Sequence, residues 1–182
     1  MRTSTNSISR TFIATLISLA GASCAQVDAD IPDTKVTQKS VVFQGIPGAQ
    51  LAGEVSIVQS FTLDTDDLSW AKDINSDVNL YEVELTAVSG VDNLGFIRTA
   101  RITMSGGDAA TTPAVEAINY QRPDNYTPSP VLDVATLYPI NVTEVWASQQ
   151  VVLTLYLTGI FPEQNWAADV TLHMSGKISY KF

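Results

Sequence analysis

Along most of this chain, apolar and polar residues alternate one for one. In ADVTLHMSGKISYKF, Val170, Leu172, Met174, Ile178, Tyr180 and Phe182 share one face with Gly176 among them. Thr171, His173, Ser175, Lys177, Ser179 and Lys181 take the other. Successive side chains of an extended chain point to opposite sides, so a period of two is the signature of a half-buried β-strand. Gly176 marks a candidate bulge in this run. The same alternation puts Leu51, Val55, Ile57, Phe61 and Leu63 in phase, and likewise Val151, Leu153, Leu155 and Leu157. In NLYEVELTAV it sets Tyr81, Val83, Leu85 and Ala87 against Leu80, Glu82, Glu84 and Thr86. KVTQKSVVF, GFIRTARITM and AVEAINY repeat the pattern more weakly. VLDVATLYPINV reads either as a kinked strand or as one helical turn before Pro139.

Turn chemistry separates these runs at Gly45-Ile46-Pro47-Gly48, at Ser105-Gly106-Gly107-Asp108 and between Pro123 and Pro130. No window sustains a helical period with caps. Seven or eight short strands spaced by turns predict an all-β fold, an antiparallel β-sandwich with Ig-like or Greek-key connections. One such domain fits residues 35–182, with the polar, acidic segment 24–34 as a short tether before it.

The N-terminal end departs from this pattern. MRTSTNSISR carries Arg2 and Arg10 and no acid, and the uncharged, largely apolar run Thr11–Ala22 follows. A basic start, a short apolar run and then small residues make a secretory signal peptide over residues 1–23. The run is too short for a membrane-spanning helix, which needs about 20 residues. Gly21, Ala22 and Ser23 precede Cys24, the only cysteine. This arrangement resembles a bacterial lipoprotein signal, in which a lipobox precedes the cysteine that becomes the lipidated mature N-terminus; Gly21 stands where an aliphatic residue is usual. The resemblance implies a lipid anchor at Cys24, and Ala25 after it implies sorting to the outer membrane. Ordinary cleavage before Ser23 or Gln26 is the alternative, and it would give a soluble periplasmic or secreted protein.

Charge narrows the choice of partners. Arg2 and Arg10 are the only charged residues in 1–23, so removing that segment leaves eight basic and nineteen acidic residues and moves the net charge from −9 to −11. An acidic chain without a basic cluster is not built for nucleic acid. With no cysteine after Cys24, no internal disulfide is available and packing must hold the fold.

Few residues suggest chemistry. In DINSDVNLYEVE, Asp73, Asn75, Asp77 and Glu84 occupy positions 1, 3, 5 and 12 of a calcium-loop pattern, although Val78 replaces its glycine. The other reading is an acidic loop that leads into a strand. Trp70 and Trp166, in the polar settings DLSWAKD and PEQNWAAD, are candidates for stacking on a sugar ring. The competing reading has the tryptophans closing the ends of the core. His173, the only histidine, is read as a surface residue on the polar face of the last strand. There is no Gly-x-Ser-x-Gly and no distinctive carboxylate pair, so a catalytic role is not expected.

VELTAVSGVDNLGFIRTARITM, with its Leu94-Gly95-Phe96-Ile97 step, and LTGIFPEQNWAADVTLHMSG resemble strand pairs of bacterial lipoproteins of unknown function. The resemblance implies a cell-envelope lipoprotein that serves as a non-enzymatic binding or structural module for an envelope or surface protein. A calcium- or carbohydrate-binding secreted module is the alternative. A small outer-membrane β-barrel is the remaining one, suggested by Ile178, Tyr180 and terminal Phe182 in phase.

Overall fold

The computed structural model describes residues 26–63, 75–107, 114–148 and 150–181. Eight strands form: β1 (Gln26–Phe43), β2 (Val55–Leu63), β3 (Asn75–Ser89), β4 (Ile97–Gly106), β5 (Val115–Gln121), β6 (Val131–Asn141), β7 (Val151–Gly159) and β8 (Trp166–Lys181). Two single turns of helix, α1 (Ala49–Ala52) and α2 (Thr143–Trp146), sit in connections. The strands make two four-stranded sheets, ordered β1-β8-β3-β6 and β2-β7-β4-β5. The pairings nest: β1 with β8, β2 with β7, β3 with β6, and β4 with β5, all antiparallel. That is one long hairpin rolled up on itself, the jelly-roll form of Greek-key sandwich. Each sheet ends in edge strands, so the structure is a sandwich and not the closed barrel that a membrane-spanning β-protein requires.

The core lies between the sheets and follows the alternation. β7 buries Val151, Leu153, Leu155 and Leu157 and turns the residues between them outward. β8 supplies Val170, Leu172 and Met174, and β4 supplies Ile102 and Met104. Burying each large aliphatic side chain contributes about 1.5–3 kcal/mol. The tryptophans close the two ends. Trp146 on α2 is fully buried at one end. At the other, Trp166 stacks on Phe43 with ring centroids 4.0 Å apart and receives the edge of Phe96 at 5.1 Å. Gly159 is required there, because a Cβ at that position would lie 2.0 Å from the Phe96 carbonyl oxygen.

Three expectations change, and one open alternative is decided. The segment expected as a tether continues β1 from Gln26, because its backbone pairs with β8 as far as Lys181. Of the two readings of VLDVATLYPINV the kinked strand is the one found: Val131–Asn141 is β6, with its register against β3 broken between Ala135 and Ile140. Leu51 leaves the strand phase for α1 and is 95% exposed. In β3 the phase breaks: Leu80 and Val83 are both buried, and Tyr81 between them is displaced by a bulge.

Candidate functional site

The outer face of the β1-β8-β3-β6 sheet carries the densest group of titratable side chains among the described residues. Strand register builds it. Across the sheet, Lys35, His173, Glu82 and Ala135 form one row, and Thr37, Thr171, Glu84 and Asp133 form the next. Glu82 and Glu84, two residues apart on one strand, therefore project from the same face as His173.

Two bulges converge on this point. On β1, Ile31 pairs with Gly176 but Thr34 pairs with Met174, so Pro32 and Asp33 together oppose the single residue Ser175. Proline has no N–H for the ladder, which suits Pro32 to a bulge. On β3, Leu80 pairs with Met174 and Glu82 with His173, leaving Tyr81 as the extra residue. The Thr136 hydroxyl donates to the Tyr81 carbonyl at 3.1 Å and satisfies the backbone where β6 also loses register. Bulges re-aim side chains, and these two bring Asp33 and Tyr81 to His173 from opposite sides.

The resulting geometry is tight. His173 is 6% exposed although it lies on the face away from the core. Its Nδ1 is 3.9 Å from Asp33 Oδ1. Its Nε2 is 4.0 Å from Glu82 Oε1 and 3.8 Å from Glu84 Oε2, beyond hydrogen-bond reach of both, and has no hydrogen-bond partner. The Tyr81 ring meets the imidazole edge-on, centroids 6.0 Å apart. Burial, a hydrogen bond with Asp33 and the negative charges of Asp33 and Glu82 push the Tyr81 phenol up to about 12. Glu84 is steadied by the Thr86 hydroxyl, which donates to its Oε1 at 2.8 Å. An imidazole nitrogen buried without a partner costs about 1–3 kcal/mol, and here it faces two partly exposed carboxylates.

The residues singled out from sequence are placed differently. Cys24, Trp70 and Asp73 lie outside the described residues. Asn75 and Asp77 lie near the start of β3, and Asp77 accepts from Asn141 Nδ2 at 3.1 Å. Glu84 lies seven steps along the strand from Asp77, about 23 Å at strand rise. They cannot share one calcium ion, because the segment is strand and not loop. Trp166 is 1% exposed and packed on Phe43, so it closes the core and offers no stacking platform. His173 is buried where a surface residue was expected, because the bulged residues close over it.

A second feature lies at the open edge between the sheets. The end of β1 and the middle of β2 line a groove of about 690 Å³ that includes Val42, Gln44, Ile57, Val58 and Gln59. Val42 is 57% exposed and Val58 61%.

No family model matches the chain, and no curated protein matches it. Among solved structures, a chain of desmodium yellow mottle tymovirus aligns over 95% of this chain and 97% of its own, at 10% identity and a TM-score of 0.36. A chain of the infectious bursal disease virus Gx strain aligns over 92% of this chain at 16% identity and a TM-score of 0.36, and this chain spans only 42% of it. A chain from a semi-empty virus-like particle of the giant freshwater prawn nodavirus covers 99% of this chain and 94% of its own, at 10% identity and a TM-score of 0.28. Likenesses this distant carry no functional information, and the sandwich rests on the strand pairings themselves.

Proposed function

We propose that this chain is an exported, non-enzymatic binding module of the bacterial cell envelope, lipid-anchored at Cys24, that meets a protein partner at the open β1–β2 edge of its sandwich. The observation that carries the reading is the groove at that edge. Val42 and Val58 expose apolar surface on both sides of it, between glutamines able to hydrogen-bond a peptide backbone. Among the described residues β2 is paired on one side only, and its other side offers the elements of strand addition by an extended peptide.

The test is intact-mass analysis and membrane fractionation of wild type and Cys24→Ala, with a photo-cross-linking residue at position 58. The expected result is a diacylglycerol-modified Cys24, release of the variant from the membrane, and one envelope protein cross-linked from position 58. A mature N-terminus at Ser23 or Gln26 in the soluble fraction overturns the anchor. Absence of any cross-linked partner overturns the edge.

A further inference from the structure

We propose that Glu82, Glu84 and His173 bind a divalent transition-metal ion through His173 Nε2 and one oxygen of each carboxylate, with Asp33 orienting the imidazole from its other nitrogen. This goes beyond the anchored-module reading and does not depend on it. The donor atoms of the three side chains lie within 4.8 Å of one another. Two ligands of one ion at bond lengths of about 2.0–2.2 Å can be no more than about 4.4 Å apart. The 3.8 and 4.0 Å separations from Nε2 already satisfy that limit. The glutamates, about a quarter to a third exposed, have room to close the remaining few tenths of an ångström.

A cluster of surface acids alone would be a weak argument. His173 supplies the independent observation: a side chain more than nine-tenths buried whose Nε2 points at the two carboxylates and is hydrogen-bonded to neither. A structural histidine would have been given a partner there, and a metal ion between Nε2 and the carboxylates satisfies all three groups. Asp33 Oδ1, half exposed, stands 3.9 Å from Nδ1, outside hydrogen-bond reach; brought about 1 Å closer it would complete the carboxylate–histidine–metal arrangement, in which a second carboxylate fixes the tautomer with the proton on the distal nitrogen. The local charge also favours a cation. Asp33, Glu82, Glu84 and Asp133 face one ammonium, that of Lys35, across neighbouring register positions. The imidazole selects the metal class: calcium and magnesium prefer all-oxygen sites, whereas zinc and its first-row neighbours accept nitrogen with carboxylate. Three protein ligands leave at least one position open to water or to a donor from a partner.

The experiment is zinc titration of the untagged full chain after chelator treatment, followed by calorimetry and by the imidazole nitrogen resonances. His173 is the only histidine, so those resonances report this site alone. The expected result is one saturable zinc site and a shift of the Nε2 resonance, with the proton held on Nδ1. Glu82→Gln and Glu84→Gln, at partly exposed positions, keep the fold and weaken zinc binding at least about tenfold. Asp33→Asn weakens it about tenfold, and His173→Gln abolishes it. The proposal is overturned by absence of zinc binding, by saturation that leaves the imidazole resonances unmoved, or by unchanged affinity in both glutamate variants. Calcium binding as tightly as zinc would overturn it as well, since the acids alone would then be responsible.

Discussion

The two outer faces of the sandwich are built from the same alternation and end up with different chemistry. On the β2-β7-β4-β5 sheet, β2 and β7 pair without a break from Val55–Gly159 to Leu63–Val151. The outward positions answer one another across the strands. Ser56 meets Thr158 at 3.0 Å, Ser60 meets Thr154 at 2.9 Å, and Arg101 lies 4.0 Å over the Tyr156 ring within ion-pair reach of Glu116. On the β1-β8-β3-β6 sheet, register slips on both sides of β8, and the face around His173 holds an unpartnered nitrogen and like charges. Regular pairing lets every side chain find its cross-strand partner. A bulge removes one partner and supplies another from a different phase, and on this face it leaves the His173 Nε2 without one.

The largest expected effect falls beneath the regular face. Leu155→Ala deletes a fully buried side chain in the central strand β7 and should cost about 2–5 kcal/mol. The urea midpoint should drop by the same amount with or without zinc. A drop that differed between zinc-free and zinc-saturated protein would mean that the two regions are not energetically separate.

His173→Leu breaks the comparison from the other side. In metal-free protein it replaces a buried, unpartnered imidazole with an apolar group of similar size, and it should raise stability by about 1 kcal/mol. A loss of that size in urea unfolding would mean that the imidazole is held by its neighbours as a structural group. Tyr81 gives a third check. Its native phenol holds its proton up to about 12 against about 10 for an unfolded chain. Its contribution to stability should therefore be constant below pH 10 and be lost as pH rises through 12. Asp33→Asn should move the ultraviolet titration of this phenol back toward 10.

These differences also mark what the sequence made legible. The alternation in β7 reads straight into buried and outward positions, because the strand lies deep in its sheet and keeps one phase. The site does not read that way. Its members come from Asp33, Glu82, Glu84 and His173, far apart in sequence, and register between strands decides whether they meet. Glu84 stands out in the sequence, but beside Asp73, Asn75 and Asp77, which share a local spacing and not a place. Asp33 is hidden in a segment whose polarity suggests a tether. PEQNWAAD is misleading for a simple reason: Trp166 opens β8, so its flanking loop is exposed while its ring turns inward onto Phe43. Composition around a residue reports the backbone's exposure better than the side chain's direction.

The smallest expected effect is the sharpest comparison of the two faces. Glu84 sits opposite Asp133 in the β3–β6 register, a like-charge pair directly across the strands. Glu84→Gln removes that repulsion and keeps the shape, so metal-free protein should gain about 0.2–1 kcal/mol. Ser60→Ala, at the matching kind of position on the regular face, deletes a hydroxyl pair with Thr154 and should lose about 0.5 kcal/mol or less. The signs are opposite because one face is satisfied as it stands and the other is not. Salt separates the causes further. Raising ionic strength to about 1 M shortens the screening length to about 3 Å, which should erase the gain at Glu84 and leave the loss at Ser60 unchanged. Urea unfolding of both variants at low and high salt measures this directly. A gain at Glu84 that persists in high salt would have another origin than charge, and the acidic row would lose its claim to be held in wait for a cation.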